Sequence, residues 1–396
     1  MKKCVSLSRG WLALAMGCGL AAGLLAPAGV AWALSGVCSD CHTMHNSQDG
    51  SPMATYGGGA GPNEFLTRGS CIGCHAQGGA SKILTVGSGA QIPQVYHTDG
   101  SGNLAAGNFG YIDGTIGTGA SGTKGHNVID LFGANSDPAV SAAPGVILFH
   151  NLTDSNLRCA GGRGCHGVRK DVAGNYGLPA VRGAHHSNVE GALGTADALG
   201  NSYRFLLGVK GVENSTDRWQ NKSAASHNEY FGATSPQTYG CGGGSEVTCH
   251  AAPDSRVIPP GNTMSSFCGS CHGQFHSLAA SNGVTGIGTG TGSPFVRHPT
   301  DVILDRSGGT AEYAFYNGGG TTFSVEAPVA RLTVPGAVSS AVVPSQSAVM
   351  CLSCHFAHGS DYPDMLRWEY NQNAHTNGAG NSNNGCFICH TTKDDA

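Results

Sequence analysis

The sequence is poor in charged residues and in bulky apolar residues. Charged residues make up 12% of its 396 positions, against about 25% in ordinary globular domains. The 21 lysines and arginines form no basic cluster, which argues against a nucleic-acid partner. The chain also contains no phosphate-binding loop and no dinucleotide-binding fingerprint. We therefore expect neither a nucleic-acid-binding protein nor a nucleotide-dependent enzyme.

Glycine is abundant instead. The chain has 63 glycines, which is about twice the usual share, and bulky apolar residues are sparse after the first 34 positions. Such a chain cannot easily offset its loss of conformational entropy with an aliphatic core alone. Either the chain is disordered, or something other than side chains fills its centre.

The first 33 residues predict a secretory signal. The positively charged start contains Lys2, Lys3 and Arg9, an apolar stretch follows from Trp11 to Val30, and Ala31-Trp-Ala33 gives a cleavage pattern of small residues. The alternative is an uncleaved membrane anchor, but no later stretch is apolar enough to span a bilayer. We expect export to the periplasm, the outer surface or the extracellular space, with no membrane span in the mature chain.

Every cysteine of the mature chain lies in a pair that is followed directly by a histidine. Five of the seven pairs have two residues between the cysteines. These are Cys38 and Cys41 with His42, Cys71 and Cys74 with His75, Cys268 and Cys271 with His272, Cys351 and Cys354 with His355, and Cys386 and Cys389 with His390. The pattern is the attachment signature of haem c. Two thiols at this spacing reach two vinyl groups on one porphyrin edge, and the adjacent histidine binds the iron.

Zinc ribbons and thioredoxin-type redox sites also contain C-x-x-C pairs. Neither site needs a histidine directly after the second cysteine. Histidine accounts for 18 of the 396 residues, so chance would rarely place one after all five pairs. The repeated histidine therefore favours haem over zinc.

Two further pairs have wider spacing. Cys159 and Cys165 precede His166 with five residues between the thiols, and Cys241 and Cys249 precede His250 with seven. Both intervening stretches are rich in glycine, so the chain can loop out and still bring the sulfurs to one porphyrin edge. The alternative is a disulfide that closes each short loop. The trailing histidines favour haem, which gives seven predicted haems.

Eleven histidines lie outside the motifs, and seven haems need seven of them for a second axial ligand. The distal candidates are His45, His97, His126, His185, His227, His276, His298 and His358. Among the methionines only Met44 has an evident ligand context. Bis-histidine ligation is therefore favoured, and it implies lower reduction potentials than methionine–histidine ligation.

Three of these candidates follow a motif histidine by three or four residues, namely His45, His276 and His358. If the motif forms a short helix, both histidines lie on the same helix face. The two axial positions of an iron lie on opposite faces of the porphyrin. We therefore expect each of these histidines to serve a different haem from its neighbour, which would bring successive haems close together.

We expect residues 34–396 to form a single multihaem domain, with motif clusters around residues 38–75, 159–166, 241–272 and 351–390. No stretch has a sustained helical period, and the strand signals are short. The expected fold is mostly irregular chain with short α-helices and little β-structure, with a core filled by haems. Folding should then depend on haem attachment, as it depends on metal in small metal-binding domains.

Several segments resemble the outer-surface hexahaem nanowire cytochromes of metal-reducing bacteria, which carry doubled C-x-x-C-H motifs. The segments keep the same order over most of the mature chain. They are Gly36-Val-Cys38-Ser-Asp-Cys41-His42-Thr-Met-His45-Asn-Ser, Lys124-Gly-His126-Asn-Val, Ser202-Tyr-Arg-Phe-Leu, Arg297-His298-Pro and Met350-Cys351-Leu-Ser-Cys354-His355-Phe-Ala-His358.

This resemblance implies bis-histidine haems in a continuous chain and a periplasmic or surface location. In filament-forming relatives, the histidine that follows the opening motif binds a haem of the next subunit. Carried over, His45 would complete the haem of the Cys351 motif in a neighbouring molecule and so form a homopolymer. The additional site at Cys241 and Cys249 and the expanded third motif depart from the hexahaem pattern.

The sequence thus predicts an electron carrier and not an enzyme. Electrons would pass along seven covalently attached haems to partner cytochromes or extracellular acceptors, in periplasmic or extracellular respiration. One alternative is a multihaem oxidoreductase with one open haem iron, but the C-x-x-C-K motif of familiar multihaem nitrite reductases does not occur. Another alternative, compatible with electron transfer, is a haem-stapled filament subunit.

Overall fold

A computed structural model of the chain describes five of the seven motifs wholly or in part. The described residues are 71–77, 79–86, 89, 91–134, 136–138, 143–144, 157–160, 164–166, 206, 208–213, 216–234, 263–269, 271–272, 275, 298–304, 316–317, 321–370 and 385–389. Residues 47–48 and 51–52 are described only by their strand pairing. The predicted signal, residues 1–33, lies outside this set.

The described α-helices are short, with four to six residues each, and the 3₁₀ helices Phe109–Tyr111, Gly122–Lys124, Pro344–Gln346 and Pro363–Met365 have three residues each. The α-helices are α1 Cys71–His75, α2 Ile129–Phe132, α3 Met264–Gly269, α4 Cys351–Cys354 and α5 Cys386–Cys389. In α1, α4 and α5 the two motif cysteines lie three residues apart and therefore share one helix face. In α1 this places Cys74 one turn after Cys71. Short helices at haem motifs agree with the fold expected from the sequence.

The motif at Cys268 departs from this pattern. Its helix, α3, ends at Gly269, so Cys268 lies on the helix and Cys271 lies beyond its end. The amides of Cys271 and His272 both donate to the Cys268 carbonyl at 3.0 Å. The expected short helix is therefore present at Cys268, and Cys271 lies in a turn after it.

The helix at the Cys351 motif also ends earlier than expected. Its C-terminal flanking residue, His355, has an extended backbone with φ −116° and ψ 154°. The expectation that His355 and His358 share one helix face is therefore wrong. The chain after Cys354 is extended, and His355 pairs with Leu366 in an isolated antiparallel bridge.

The described strands have two or three residues each. They are β1 Ser47–Gln48, β2 Ser51–Pro52, β3 Ile83–Thr85, β4 Gln91–Pro93, β5 Arg158–Ala160, β6 Gly164–His166, β7 Val209–Lys210, β8 Glu229–Tyr230, β9 Val302–Ile303, β10 Ala330–Arg331 and β11 Ser347–Val349. Antiparallel pairs join β1 with β2, β3 with β4, and β7 with β8, whereas β5 and β6 run parallel. A three-stranded antiparallel sheet has the order β10-β11-β9.

Buried apolar side chains form separate small clusters around the motifs. Three of these clusters each have a motif cysteine packed against them, namely Cys159, Cys268 and Cys389. Apolar burial in the described part of the chain is therefore concentrated where the sequence predicts haems. None of the described helices has the length and hydrophobicity that a membrane span needs.

A buried ion cluster ties β8 to β10. Glu229 Oε1 accepts hydrogen bonds from His227 Nε2 at 3.2 Å and from the Ser339 amide at 2.8 Å, and Oε2 accepts one from Arg331 Nε at 3.0 Å. Burial acts to raise the pKa of Glu229, but the bond from His227 and the charge of Arg331 hold that pKa below its ordinary value. The His227 ring also stacks on Phe323, with centroids 3.6 Å apart. The cluster is a polar anchor inside an otherwise irregular fold.

Candidate haem-binding site

Five predicted attachment pairs have described cysteines, and none of these ten cysteines forms a disulfide. The pairs are Cys71 and Cys74, Cys159 and Cys165, Cys268 and Cys271, Cys351 and Cys354, and Cys386 and Cys389. The disulfide alternative for Cys159 and Cys165 therefore does not describe this structure.

Backbone contacts position the second cysteines of two regular motifs. The Cys74 carbonyl accepts a hydrogen bond from Nε2 of the buried Gln94 side chain at 2.9 Å. The Cys271 amide donates to the Cys268 carbonyl at 3.0 Å. Cys74 and Cys271 are both half-buried. These contacts fix the backbone at each cysteine, and covalent haem attachment at Cys74 and Cys271 remains a prediction from the motif.

The expanded motif closes through parallel pairing of β5 with β6, in which Ala160 is the register partner of His166. Gly164 permits this return, since a Cβ at that position would lie 2.5 Å from the Ala160 amide nitrogen. Asp130 of α2 holds the first cysteine by accepting a hydrogen bond from the Cys159 amide at 3.1 Å. The longer loop is thus folded back, as attachment of both sulfurs to one porphyrin edge requires.

Burial keeps several motif cysteines as neutral thiols. It raises the pKa of Cys354 and of Cys389 to about 12, and it also raises the pKa of Cys71 and of Cys386. A thioether bond to a porphyrin leaves the sulfur uncharged, so these buried positions are compatible with haem attachment.

Cysteines of successive motifs lie close to one another. The Cys268 thiol is hydrogen-bonded to Cys351, and this contact, followed by burial, raises the pKa of Cys268. Three more pairs of cysteines from successive motifs lie close enough for one thiol to raise the pKa of the other. They are Cys71 with Cys159, Cys165 with Cys268, and Cys386 with Cys354. Each described motif thus has a cysteine near a cysteine of the next described motif.

Three motif histidines present the same ring nitrogen. Each donates Nδ1–H to a backbone carbonyl: His75 to Pro93 at 2.9 Å, His272 to Pro144 at 2.7 Å, and His355 to Asp364 at 2.7 Å. A carbonyl only accepts, so the Nε2 lone pair is left for an iron. Burial lowers the pKa of all three rings, that of His272 to about 4, which keeps them neutral. This is the pattern that orients metal-binding imidazoles.

Two predicted distal histidines face motif histidines from a different segment. The ring centroids of His126 and His272 lie 6.1 Å apart, and those of His166 and His358 lie 6.2 Å apart. With an iron about 2 Å from each Nε2, two axial imidazoles would have their centroids about 6 Å apart. Both pairs therefore fit a single haem iron between their rings.

The chain after the Cys351 motif organises both pairs. His126 donates Nδ1–H to the Ala357 carbonyl at 2.6 Å, and burial lowers its pKa. His358, which follows Ala357 in the chain, stacks on Phe109 with ring centroids 4.6 Å apart. One short segment thus orients the distal candidate of one haem and supplies the distal candidate of another.

His298 and His97 differ in tautomer. His298 donates Nδ1–H to the Pro299 carbonyl at 2.8 Å, which leaves Nε2 as the ligand atom. Nδ1 of His97 instead accepts from the Asp99 amide at 3.2 Å, and its buried Nε2 makes no hydrogen bond. This places the His97 proton on Nε2, so that ring must change its tautomer before it can bind iron through that atom.

His227 uses both ring nitrogens within the protein. Nδ1 donates to the Ser223 carbonyl at 3.2 Å and Nε2 to Glu229 Oε1 at 3.2 Å. With both nitrogens donating, the ring has no lone pair left for an iron in this arrangement. We therefore propose that His227 is a member of the ion cluster and not a distal ligand.

The remaining predicted site residues lie outside the described residues. They are Cys38, Cys41, His42, His45, His185, Cys241, Cys249, His250, His276 and His390.

Sequence reasoning missed the backbone carbonyls that hold the histidines. The Asp364 carbonyl belongs to a turn in which Asp364 and Met365 have left-handed φ values of 58° and 57°. Methionine rarely takes that conformation, whereas aspartate tolerates it better. The dipeptide Pro363-Asp364 could have predicted the turn, but no local signal shows that its carbonyl faces His355.

Comparisons with known proteins agree with this site. A family model described as "Doubled CXXCH motif" matches residues 343–395. The C-type cytochrome OmcS of Geobacter sulfurreducens is 28% identical over 386 residues, a match that covers 87% of this chain and 81% of OmcS. These matches support a multihaem c-type cytochrome that resembles OmcS. The resemblance predicted from the sequence is confirmed, and haem c is supported as the cofactor.

Two solved structures also match. They are the Outer Membrane Cytochrome S Filament and the cryo-EM OmcS nanowires, both from Geobacter sulfurreducens. Their identities are 22% and 19%, each with a TM-score of 0.42, and they cover 87% and 91% of this chain and 86% and 92% of their own. The curated relative is named as a C-type cytochrome, which agrees with the haem c attachment predicted from the motifs.

Proposed function

We propose that this chain transfers electrons along seven covalently attached haems c whose irons are bound by pairs of histidines. The observation that carries the proposal is the pair of facing rings at 6.1 and 6.2 Å, His126 with His272 and His166 with His358. Each pair joins a motif histidine to a histidine from another segment. Haem supplies reversible one-electron transfer at its iron.

The residues of this chain support that role by occupying both axial positions. Carbonyls at Nδ1 fix the Nε2 lone pairs of His126 and His272, and burial keeps the rings neutral. An iron with two such ligands has no open position for a substrate. The arrangement therefore favours electron transfer over the alternative of a multihaem oxidoreductase.

The contacts between cysteines support a single-file relay. Cysteines of successive described motifs lie near one another, and the Cys268–Cys351 contact is the closest support for two neighbouring attachment edges. Electrons would thus enter near one end of the file and leave near the other. We place the two remaining motifs, at Cys38 and Cys241, in the same relay on the basis of their sequence pattern alone.

We further propose that the mature chain is exported and passes electrons to partner cytochromes or extracellular acceptors. The predicted signal of residues 1–33 supports export. OmcS, the relative at 28% identity, is named as an outer-membrane cytochrome in the filament structure, which agrees with a location at the cell surface.

Filament assembly is a second candidate function. The ring contacts of the described residues include a partner for His272 and for His166 but none for His355, which leaves the second ligand of that haem open. His45 of a neighbouring copy could supply it, as in the filament-forming relatives. His45→Ala should then release single subunits from any filament seen by negative-stain microscopy, whereas filaments that survive the substitution would argue against this ligand.

Two measurements on the purified protein test the electron-carrier proposal. Near-infrared magnetic circular dichroism should show only low-spin bis-histidine haem, and carbon monoxide should not change the reduced spectrum. High-spin haem that binds carbon monoxide, together with turnover of nitrite, hydroxylamine or sulfite, would favour the enzyme instead.

A further inference from the structure

Arg367 is fastened to the backbone of the Cys351 motif. Its Nε donates to the Leu352 carbonyl at 2.8 Å, and its own amide donates to the Cys354 carbonyl at 2.9 Å. Nη1 reaches the Val325 carbonyl at 3.3 Å, and the guanidinium carbon lies 4.1 Å from the centroid of the Phe356 ring. The charged group is thus held rigidly beside one haem attachment site.

The charge of Arg367 has no carboxylate within ion-pair distance among the described residues, unlike that of Lys124, Arg158 and Arg331. Its Nη2 is inaccessible to solvent and makes no hydrogen bond. Burial lowers the pKa of Arg367 to about 10, so the guanidinium remains charged at neutral pH. Arg367 as a whole is half-buried, and the carboxylate that acts on it, Glu326, is exposed and therefore screened by solvent. A cation that is partly withdrawn from solvent and has no close carboxylate acts on its neighbours more strongly than an exposed charge does.

The position of Arg367 places its charge next to the attachment cysteines. The two carbonyls that it binds belong to Leu352, which lies between the cysteines, and to Cys354 itself. The nearby Asp364, whose carbonyl holds the predicted iron ligand His355, carries the opposite charge, but it is exposed, and solvent screens an exposed charge. Positive charge therefore predominates beside this motif.

We propose that Arg367 raises the reduction potential of the haem attached at Cys351 and Cys354 and so makes it a preferred electron site within the relay. The inference rests on the proposed function, since it requires a haem at this motif. An oxidised haem carries one more positive charge than a reduced haem. A fixed cation next to it therefore stabilises the reduced form.

Spectroelectrochemical titration of Arg367→Gln tests this proposal. One component should shift to lower potential by about 59 mV or more, which corresponds to a tenfold loss in electron affinity for a one-electron couple. Arg367→Lys should restore most of the shift by returning the charge. Asp364→Asn is the matched control: it removes an exposed charge near the same ligand and keeps a residue that tolerates left-handed φ. Its shift should be smaller and toward higher potential.

The proposal would be overturned if Arg367→Gln keeps its haems and its low-spin spectrum but leaves every reduction potential unchanged. A change in potential no larger than that of Asp364→Asn would overturn it as well. If Arg367→Gln does not load haem, nuclear magnetic resonance of the unaltered protein at partial reduction decides. The signals of the His355 ring should then report reduction of its haem before the signals of the His272 ring report reduction of theirs, and the reverse order would also overturn the proposal. Absence of haem at this motif in the unaltered protein would instead contradict the proposed function.

Discussion

Replacing Glu229 with glutamine should destabilise the haem-loaded protein strongly. The Glu229 carboxylate is fully buried, and its ion-pair partners Arg331 and His227 are 7% and 0% exposed. Removing one partner of a buried ion pair costs roughly 3–5 kcal/mol, because the remaining charge stays buried without compensation. Glutamine keeps an oxygen that can accept from the Ser339 amide, so we expect a loss near the lower limit, about 3 kcal/mol.

The free energy of unfolding, measured in urea by circular dichroism, gives this loss directly. Asp361→Asn is a suitable control because it breaks the ion pair with Lys124, in which Asp361 is 26% exposed. Partly exposed pairs contribute about 1 kcal/mol or less. A Glu229→Gln variant that loses no more stability than Asp361→Asn would refute the reasoning on the buried cluster.

The same carboxylate predicts a dependence on pH. The pKa of Glu229 is held below its ordinary value of 4.5. A carboxyl with a depressed pKa stabilises the fold above its unfolded-state pKa and loses that contribution as the pH falls through its folded-state pKa. The free energy of unfolding should therefore fall below about pH 4.5, and more steeply than in Glu229→Gln. Equal slopes in the two proteins would contradict this assignment.

Three further substitutions separate roles within the site. His126→Ala should convert one haem from low to high spin in electron paramagnetic resonance, because it removes an axial ligand; an unchanged spectrum would reject the pairing. His227→Gln should lower the melting temperature but leave every haem low-spin, and a new high-spin signal would restore His227 as a ligand. Gly164→Ala should reduce haem attachment at the third motif, since the new Cβ would meet the Ala160 amide. Mass spectrometry of haem peptides measures this, with Gly79→Ala, where a Cβ meets nothing within 4 Å, as the control that should attach haem normally.

The haem attachment sites can be predicted from the sequence because that chemistry is local, and attachment at each site stays a prediction. Two cysteines and a histidine within five residues are sufficient to attach one haem. The irregular fold follows from the same reasoning, since a glycine-rich chain with few aliphatic residues cannot form long helices or a large sheet. The short helices α1, α4 and α5 coincide with the motifs as expected, whereas α3 ends before Cys271.

The partners of the motif histidines could not be predicted in the same way. His126 meets His272, and His166 meets His358, through chain folding that brings distant segments together. His227 looks like any other candidate in the sequence, and only Glu229 shows that its Nε2 is already bonded. The spacing of His355 and His358 predicted that they serve different haems, on the assumption that both lie on one helix. That helix, α4, ends at Cys354, before either histidine.

The intact mass of the mature protein tests the central claim most directly. The account predicts residues 34–396 with seven covalently attached haems, including those at the two expanded motifs, Cys159 with Cys165 and Cys241 with Cys249. A mass that corresponds to only five haems would show that the expanded motifs carry none. Such a mass would contradict the proposed seven-haem relay. The contradiction would be sharpest at the third motif, where the pairing of β5 with β6 brings Cys159 and Cys165 side by side.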